Sequence, residues 1–198
     1  MATNEKRIIQ EHTEEKFYVP VGYPLGYGVT KGEPHKDKEN IRIYYPKDYI
    51  VERYSEKVLT RIRLELHDEF FLWTRILFLH DEETRKKCDM TLLTSLKEKK
   101  VMIEADTPLE LFENMLPLRA VRQGFGLAED NKECIRLGHD VIYIEGLQLF
   151  IWREANGNSI SDIFTSAVKS YDVSIKKLEN DFPPAIMQLI KSGILILQ

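Results

Sequence analysis

The sequence predicts an α+β protein in which short strands and capped helices occur along the whole chain. Runs rich in β-branched and aromatic residues at 41–45, 101–104 and 194–197 are typical of short strands. Between two of them, the residues from Thr107 to Glu110 combine a capping threonine, a first-turn proline and a capping-box glutamate. That combination predicts the start of a helix that ends near Leu116.

Four further helices are predicted from N-capping residues or a first-turn proline. They run from Asp89 to Lys99, from Ser159 to about Tyr171, from Ser174 to Asn180, and from Pro183-Pro184 to a C-terminal cap at Gly193.

The longest apolar stretch of the chain, residues 48–80, supports two interpretations. Large apolar residues recur there at helical spacing: Tyr54, Val58, Ile62, Leu66, Phe70, Trp73 and Leu77. This pattern favours a helix that packs at the centre of the protein and breaks near Asp68. However, residues 58–66 also alternate between apolar and charged, which fits a strand, with a turn at His67-Asp68-Glu69 and a second strand at 70–79. We interpret that triplet, and its repeat at 80–82, as solvent-exposed.

Residues 17–34 are dense in proline and glycine, which predicts an irregular loop. Phe17, Tyr18, Tyr23 and Tyr27 lie within it and are the candidate partner-binding residues, because aromatic side chains are enriched at interface hot spots. The alternative is that these rings cover the core of their own domain.

The predicted organisation has an N-terminal α+β subdomain at 1–118, a linker at 119–133 and a C-terminal subdomain at 134–198. Gly124 and Gly126 favour a loop in the linker. A β-hairpin is expected around Gly146, with strands at 140–145 and 147–153. One single domain is the alternative.

The composition of the chain indicates an ordinary globular protein of 198 residues with a net charge of −4. A net negative charge argues against a protein whose whole surface binds phosphate groups. The two cysteines lack metal-binding spacing and are expected to be free thiols. With no signal peptide and no apolar membrane-spanning segment, we expect a cytoplasmic protein without membrane association; no cofactor is predicted.

The run of helices followed by glycine and an apolar strand at 159–198 resembles a winged helix-turn-helix. The resemblance implies a DNA-binding regulator or replication factor, with Lys176, Lys177 and Lys191 as the candidate nucleic-acid contacts. Residues 159–198 differ from such proteins in charge, because their four lysines are balanced by four acidic residues and they contain no arginine.

A third function class is a metal-dependent hydrolase or nuclease. Its candidate ligands are Glu104, Asp106, His139, Asp140 and Glu145, which lie at the ends of predicted strands. No catalytic triad or nucleophile motif is found. The leading hypothesis is therefore a non-catalytic intracellular protein that binds another protein chain, as a subunit of a larger assembly or an oligomer; nucleic acid is the alternative partner.

Overall fold

The computed structural model describes residues 16–28, 31–36, 42–55, 57–78, 88–129 and 132–198. It confirms the α+β class, since helices pack against small antiparallel sheets. None of the described helices combines the length and the apolar character needed to cross a membrane.

Six strands form the N-terminal part of the described chain. They are β1 (Phe17–Pro20), β2 (Tyr23–Tyr27), β3 (Lys31–Lys36), β4 (Arg42–Pro46), β5 (Asp48–Ser55) and β6 (Val58–Glu65). β2, β5 and β6 form one sheet in that order, and β3 pairs with β4. The irregular loop predicted for residues 17–34 is therefore wrong. Pro24 is compatible with a strand because β2 is at the edge of its sheet and its register shifts between Pro24 and Gly26.

The central stretch does not form the predicted helix over residues 48–65. β5 and β6 form a hairpin with Ser55 opposite Val58, and Lys57 adopts a positive φ of 67° in its turn. Val51 and Leu64 are buried, whereas Val58 in the predicted helical stripe is 59% exposed. The alternation in residues 58–66 was thus the informative pattern, because cross-strand pairing decides which face is buried.

The second strand of the alternative interpretation, at 70–79, is also wrong. The chain continues from β6 as a π-helical turn (Leu66–Phe70), helix α1 (Phe71–Arg75) and a 3-10 turn (Ile76–Phe78). Trp73 and Leu77 of the predicted stripe are buried, so this part of the helical pattern is confirmed.

The central segment contains helix α2 (Met90–Glu98), strand β7 (Met102–Ala105) and helix α3 (Pro108–Met115). The predicted caps are confirmed, since Asp89 accepts a hydrogen bond from the Thr91 N–H and Thr107 accepts one from the Glu110 N–H. β7 pairs antiparallel with β1.

The C-terminal part contains six strands and three helices. They are β8 (Arg119–Arg122), β9 (Phe125–Glu129), β10 (Lys132–Leu137), β11 (Asp140–Tyr143), α4 (Gly146–Glu154), β12 (Asn156–Ser159), α5 (Ile160–Ser170), α6 (Ile175–Lys191) and β13 (Leu195–Leu197). β8 lies between β12 and β13, and β10 lies between β9 and β11. The loop expected at 119–133 is therefore wrong, because β8 and β9 occupy most of it.

The hairpin predicted around Gly146 is wrong in its second half. β11 pairs with β10 instead, and residues 147–153 form most of helix α4. Ile151 and Trp152 are buried on one side of this helix. A short apolar run fits a buried strand and a buried helix equally well, and packing on the core selects the helix.

Helix α6 is continuous where two helices were expected. Ser174 caps it as predicted, but Pro183 and Pro184 lie inside it rather than at a second start. Its buried face passes through this point without a break, from Leu178 and Phe182 to Ile186. Packing of this face compensates for the hydrogen bonds that the prolines remove.

One hydrophobic cluster extends from Tyr18 to Leu197 and includes residues of both predicted subdomains. Backbone hydrogen bonds also join the two parts, as between the Gly22 N–H and the Leu197 carbonyl at 2.7 Å. A boundary within residues 119–133 stays a prediction. Both cysteines are free thiols, as expected.

Candidate functional site

The outer edge of strand β11 offers peptide groups that no other described strand pairs with. β10 and β11 are joined by the two-residue turn Gly138-His139, in which Gly138 has a φ of 63°, and the Leu137–Asp140 pair closes the hairpin. Hydrogen-bonded pairs alternate along such a hairpin, beginning at the closing pair.

The alternation assigns the peptide groups of Asp140 and Ile142 to the β10 side. The Ile144 N–H donates to the Glu133 carbonyl, which agrees with this register. The peptide groups of Val141 and Tyr143 therefore face away from β10. Within the described part of the chain, no strand pairs with this edge.

A groove of about 310 Å³, which we call the edge groove, separates β11 from helix α6. It is lined by Ile142, Tyr143, Ile144, Gln148, Gln188, Leu189, Lys191 and Ser192. The Gln148 side-chain amide donates to the Gln188 side chain across it and so links α4 to α6. The Tyr143 ring is 58% exposed. The edge groove thus combines apolar side chains with several polar groups beside an open strand edge.

A second groove of about 410 Å³, the apolar groove, also lies along α6. It is lined by Phe17, Tyr18, Leu77, Pro108, Leu111, Asn180, Pro183, Pro184, Met187, Gln188 and Lys191. Gln188 and Lys191 line both grooves, so the two adjoin along the last turns of α6. Lys191 is the single charged side chain among the described residues that line either groove.

The four aromatic residues predicted to bind a partner lie in two different places. Phe17 and Tyr18 line the apolar groove, although Tyr18 is only 5% exposed and belongs mainly to the core. Tyr27 is 68% exposed and packs edge-on against Tyr49, with the ring centroids 5.6 Å apart, and Tyr23 is half-buried. The structure therefore separates Phe17 and Tyr18 from Tyr23 and Tyr27.

The structure also separates the three lysines predicted to contact nucleic acid. Lys176 and Lys177 lie in the first turn of α6, and Lys191 lies at its end. At a rise of 1.5 Å per residue, about 22 Å of helix separates Lys191 from Lys176 and Lys177. Lys191 lines both grooves, whereas Lys176 and Lys177 line neither.

The acidic residues proposed as metal ligands lie on different sheets. Glu104 accepts hydrogen bonds from the Lys16 and Lys97 amines, each at 2.8 Å, and Asp106 lies 3.3 Å from the Lys16 amine. These hydrogen bonds, that from Lys16 first, lower the pKa of Glu104 below its ordinary value. His139, Asp140 and Glu145 are exposed around β11. Among the described residues, no three His, Cys, Asp or Glu side chains are grouped as a metal site would require.

Glu69 is a buried charge that the sequence did not reveal. Its carboxylate accepts hydrogen bonds from the Lys99 amine, from the Ser95 hydroxyl at 2.5 Å and from the Glu65 N–H at 2.8 Å. The expectation that His67-Asp68-Glu69 is solvent-exposed is therefore wrong for Glu69, which is 6% exposed. No sequence signal connects it to Ser95 in helix α2 or to Lys99 at the C-terminal cap of that helix. The repeat at 80–82 lies outside the described residues.

Comparison with known proteins does not assign a function. No protein-family model, no curated protein and no solved structure matches this chain.

Proposed function

We propose that this protein is a non-catalytic binding protein that takes up an extended segment of another protein as an added strand beside β11. The observation that carries the proposal is the outward orientation of the Val141 and Tyr143 peptide groups next to the edge groove. An added strand forms main-chain hydrogen bonds at such an edge, and pockets for alternate side chains supply specificity.

The edge groove supports this mode of binding in its composition. Ile142 is half-buried and offers apolar contact, while Gln148, Gln188 and Ser192 offer donors and acceptors. A segment beside β11 would place every second side chain towards α6, because side chains alternate along a strand. The exposed ring of Tyr143 provides a further contact area at low entropic cost.

A selection from a phage-displayed library of random linear peptides tests the proposal. Enriched peptides are synthesised with a fluorescent label, and their affinities for the protein are measured by anisotropy. Val141→Pro should weaken binding about tenfold or more, because it removes an outward N–H and places a ring where the added strand must lie.

Val141→Thr is the matched control, since threonine keeps the N–H and the β-branched shape. Val141→Pro should still fold, because proline is tolerated where the N–H does not pair within the sheet; circular dichroism checks this. Equal affinities of the proline variant and the wild-type protein would rule out strand addition at β11.

Nucleic-acid binding is a second candidate function, supported by the order of the C-terminal elements. α4, β12, α5, α6 and β13 follow one another as helix, strand, helix, helix and strand, and β8 lies between the two strands. This order resembles a winged helix whose middle strand comes from an earlier part of the chain. Replacement of Lys176 and Lys177 by Glu should then abolish duplex binding, and binding should fall steeply between about 50 and 200 mM salt.

A further inference from the structure

The apolar groove has the dimensions and lining of a pocket for one large side chain. Its volume of about 410 Å³ lies within the range of small-molecule sites, roughly 300–1,000 Å³. Among its lining residues, Leu111 and Pro183 are buried, and Phe17 and Met187 are half-buried. Methionine adapts its shape and packs favourably against aromatic rings.

Lys191 adds a positive charge at the point where the apolar groove meets the edge groove. Its side chain is exposed, and it forms no ion pair within the described part of the chain. With no other charged side chain among the described residues that line either groove, the local charge complements a carboxylate.

We infer that the partner segment carries a large apolar side chain next to a carboxylate, with the side chain in the apolar groove and the carboxylate at Lys191. The inference rests on the proposed function, because it assigns both contacts to the segment that pairs with β11. Continuity of the two grooves through Gln188 and Lys191 allows one segment to reach both. The recognised chemistry is thus an aromatic or large aliphatic residue beside Asp, Glu or a free C-terminus.

Small probes test this chemistry independently of strand pairing. N-acetyl-L-tryptophan carries both an indole ring and a carboxylate, N-acetyl-L-tryptophanamide lacks the charge, and N-acetylglycine lacks the ring. Binding is followed by NMR of the methionine methyl groups. The Met187 methyl signal, assigned with Met187→Leu, should shift saturably with N-acetyl-L-tryptophan. The Met90 methyl group, whose residue is 61% exposed and lies outside the groove, should not shift.

The contribution of charge is measured with Lys191→Gln. This variant and the amide probe should each weaken binding about twofold to fivefold, the range of an exposed ion pair. Lys177→Gln is the matched control, because it removes a lysine of the same helix that lies outside both grooves. N-acetylglycine should produce no shift.

Failure of this inference is distinguishable from failure of the proposed function. The Val141→Pro variant should show the same Met187 methyl shift with N-acetyl-L-tryptophan as the wild-type protein. It should, however, no longer bind the selected peptides. No Met187 shift with any probe, while the selected peptides still bind, overturns this inference alone. Equal affinity for the acid and the amide overturns the assignment of Lys191.

Two other occupants would also overturn the inference. A second copy of the chain in the groove would give a dimer in sedimentation equilibrium that Met187→Asp dissociates. Probe binding that occurs only after deletion of residues 1–15 would assign the groove to the chain's own N-terminal segment.

Discussion

Glu69 holds a buried negative charge where β6 continues into the helical part of the chain. Burial by itself would raise the pKa of this carboxyl, but hydrogen bonds from Lys99, Ser95 and the Glu65 N–H outweigh it and lower the pKa below 4.5. Hydrogen bonds to a charged group contribute about 1.5–3 kcal/mol each. Lys99 is about one-third exposed, so its contribution lies at the lower end.

Glu69→Gln should therefore lower the free energy of unfolding by about 1–3 kcal/mol at pH 7. A carboxyl whose pKa is lowered by folding stabilises the protein above the ordinary pKa, and this stability is lost as the pH falls through the folded-state value. The difference between variant and wild type should thus shrink below about pH 4.5. Urea unfolding of the variant and the wild-type protein, at pH 7 and below pH 4.5, measures this difference in the free energy of unfolding.

Glu98→Gln provides the control for Glu69→Gln, because Glu98 is an exposed residue of helix α2 that undergoes the same chemical change. Its effect should stay within about 0.5 kcal/mol. A destabilisation by Glu69→Gln that is equally large in acid would show that the carboxylate charge is not responsible.

At the scale of single elements, helix α6 is unusual because two prolines lie inside it. Pro183 and Pro184 lack the N–H groups that would donate to the carbonyls of Glu179 and Asn180. Pro183 is buried with the apolar face, whereas Pro184 is exposed. The helix is continuous because its long buried face contributes more than these two hydrogen bonds.

Pro184→Ala should therefore stabilise the protein, by about 1–3 kcal/mol. Alanine restores an N–H for the Asn180 carbonyl and removes a steric conflict, and the exposed side chain has little core contact to lose. Thermal and urea unfolding measure the change. The matched control is Pro108→Ala in the first turn of α3, where proline is favourable and no gain is expected. A loss of stability in Pro184→Ala would mean that packing of the Pro184 ring contributes more than the restored hydrogen bond.

At the scale of the whole molecule, one core joins the two predicted subdomains. Trp73 lies in α1 and Trp152 lies in α4, and both belong to the same hydrophobic cluster. The Trp73 indole donates to the Val101 carbonyl at 2.9 Å, and the Trp152 indole donates to the Gln123 carbonyl at 3.1 Å. Each ring therefore reports on a different part of one core.

We expect the protein to unfold in a single cooperative transition. In Trp152→Phe the fluorescence reports on Trp73, and in Trp73→Phe it reports on Trp152. In each variant, the fluorescence transition in urea should coincide with that of the far-ultraviolet circular dichroism. Separate midpoints for the two signals in either variant would instead support two subdomains divided near residues 119–133.

The features that could be predicted from the sequence are those in which neighbouring residues supply both partners of an interaction. The caps at Asp89, Thr107, Ser159 and Ser174 were predicted at the correct residues, because a side chain there bonds to an N–H two or three positions later. The burial of Trp73 was predicted for a similar reason, since large apolar side chains avoid water in any fold.

By itself, the sequence determined the α+β class, the helix starts and most of the apolar core, because short-range hydrogen bonds and hydrophobicity depend little on distant residues. Tertiary structure decided three things: the hairpin of residues 48–65, the continuity of α6 and the site itself. Each depends on partners far apart in sequence. β5 and β6 bury the Val51–Leu64 face, and Lys191 meets β11 only because α6 packs beside it. Local patterns for helix and strand were nearly balanced in residues 48–65, and long-range pairing selected the strands there.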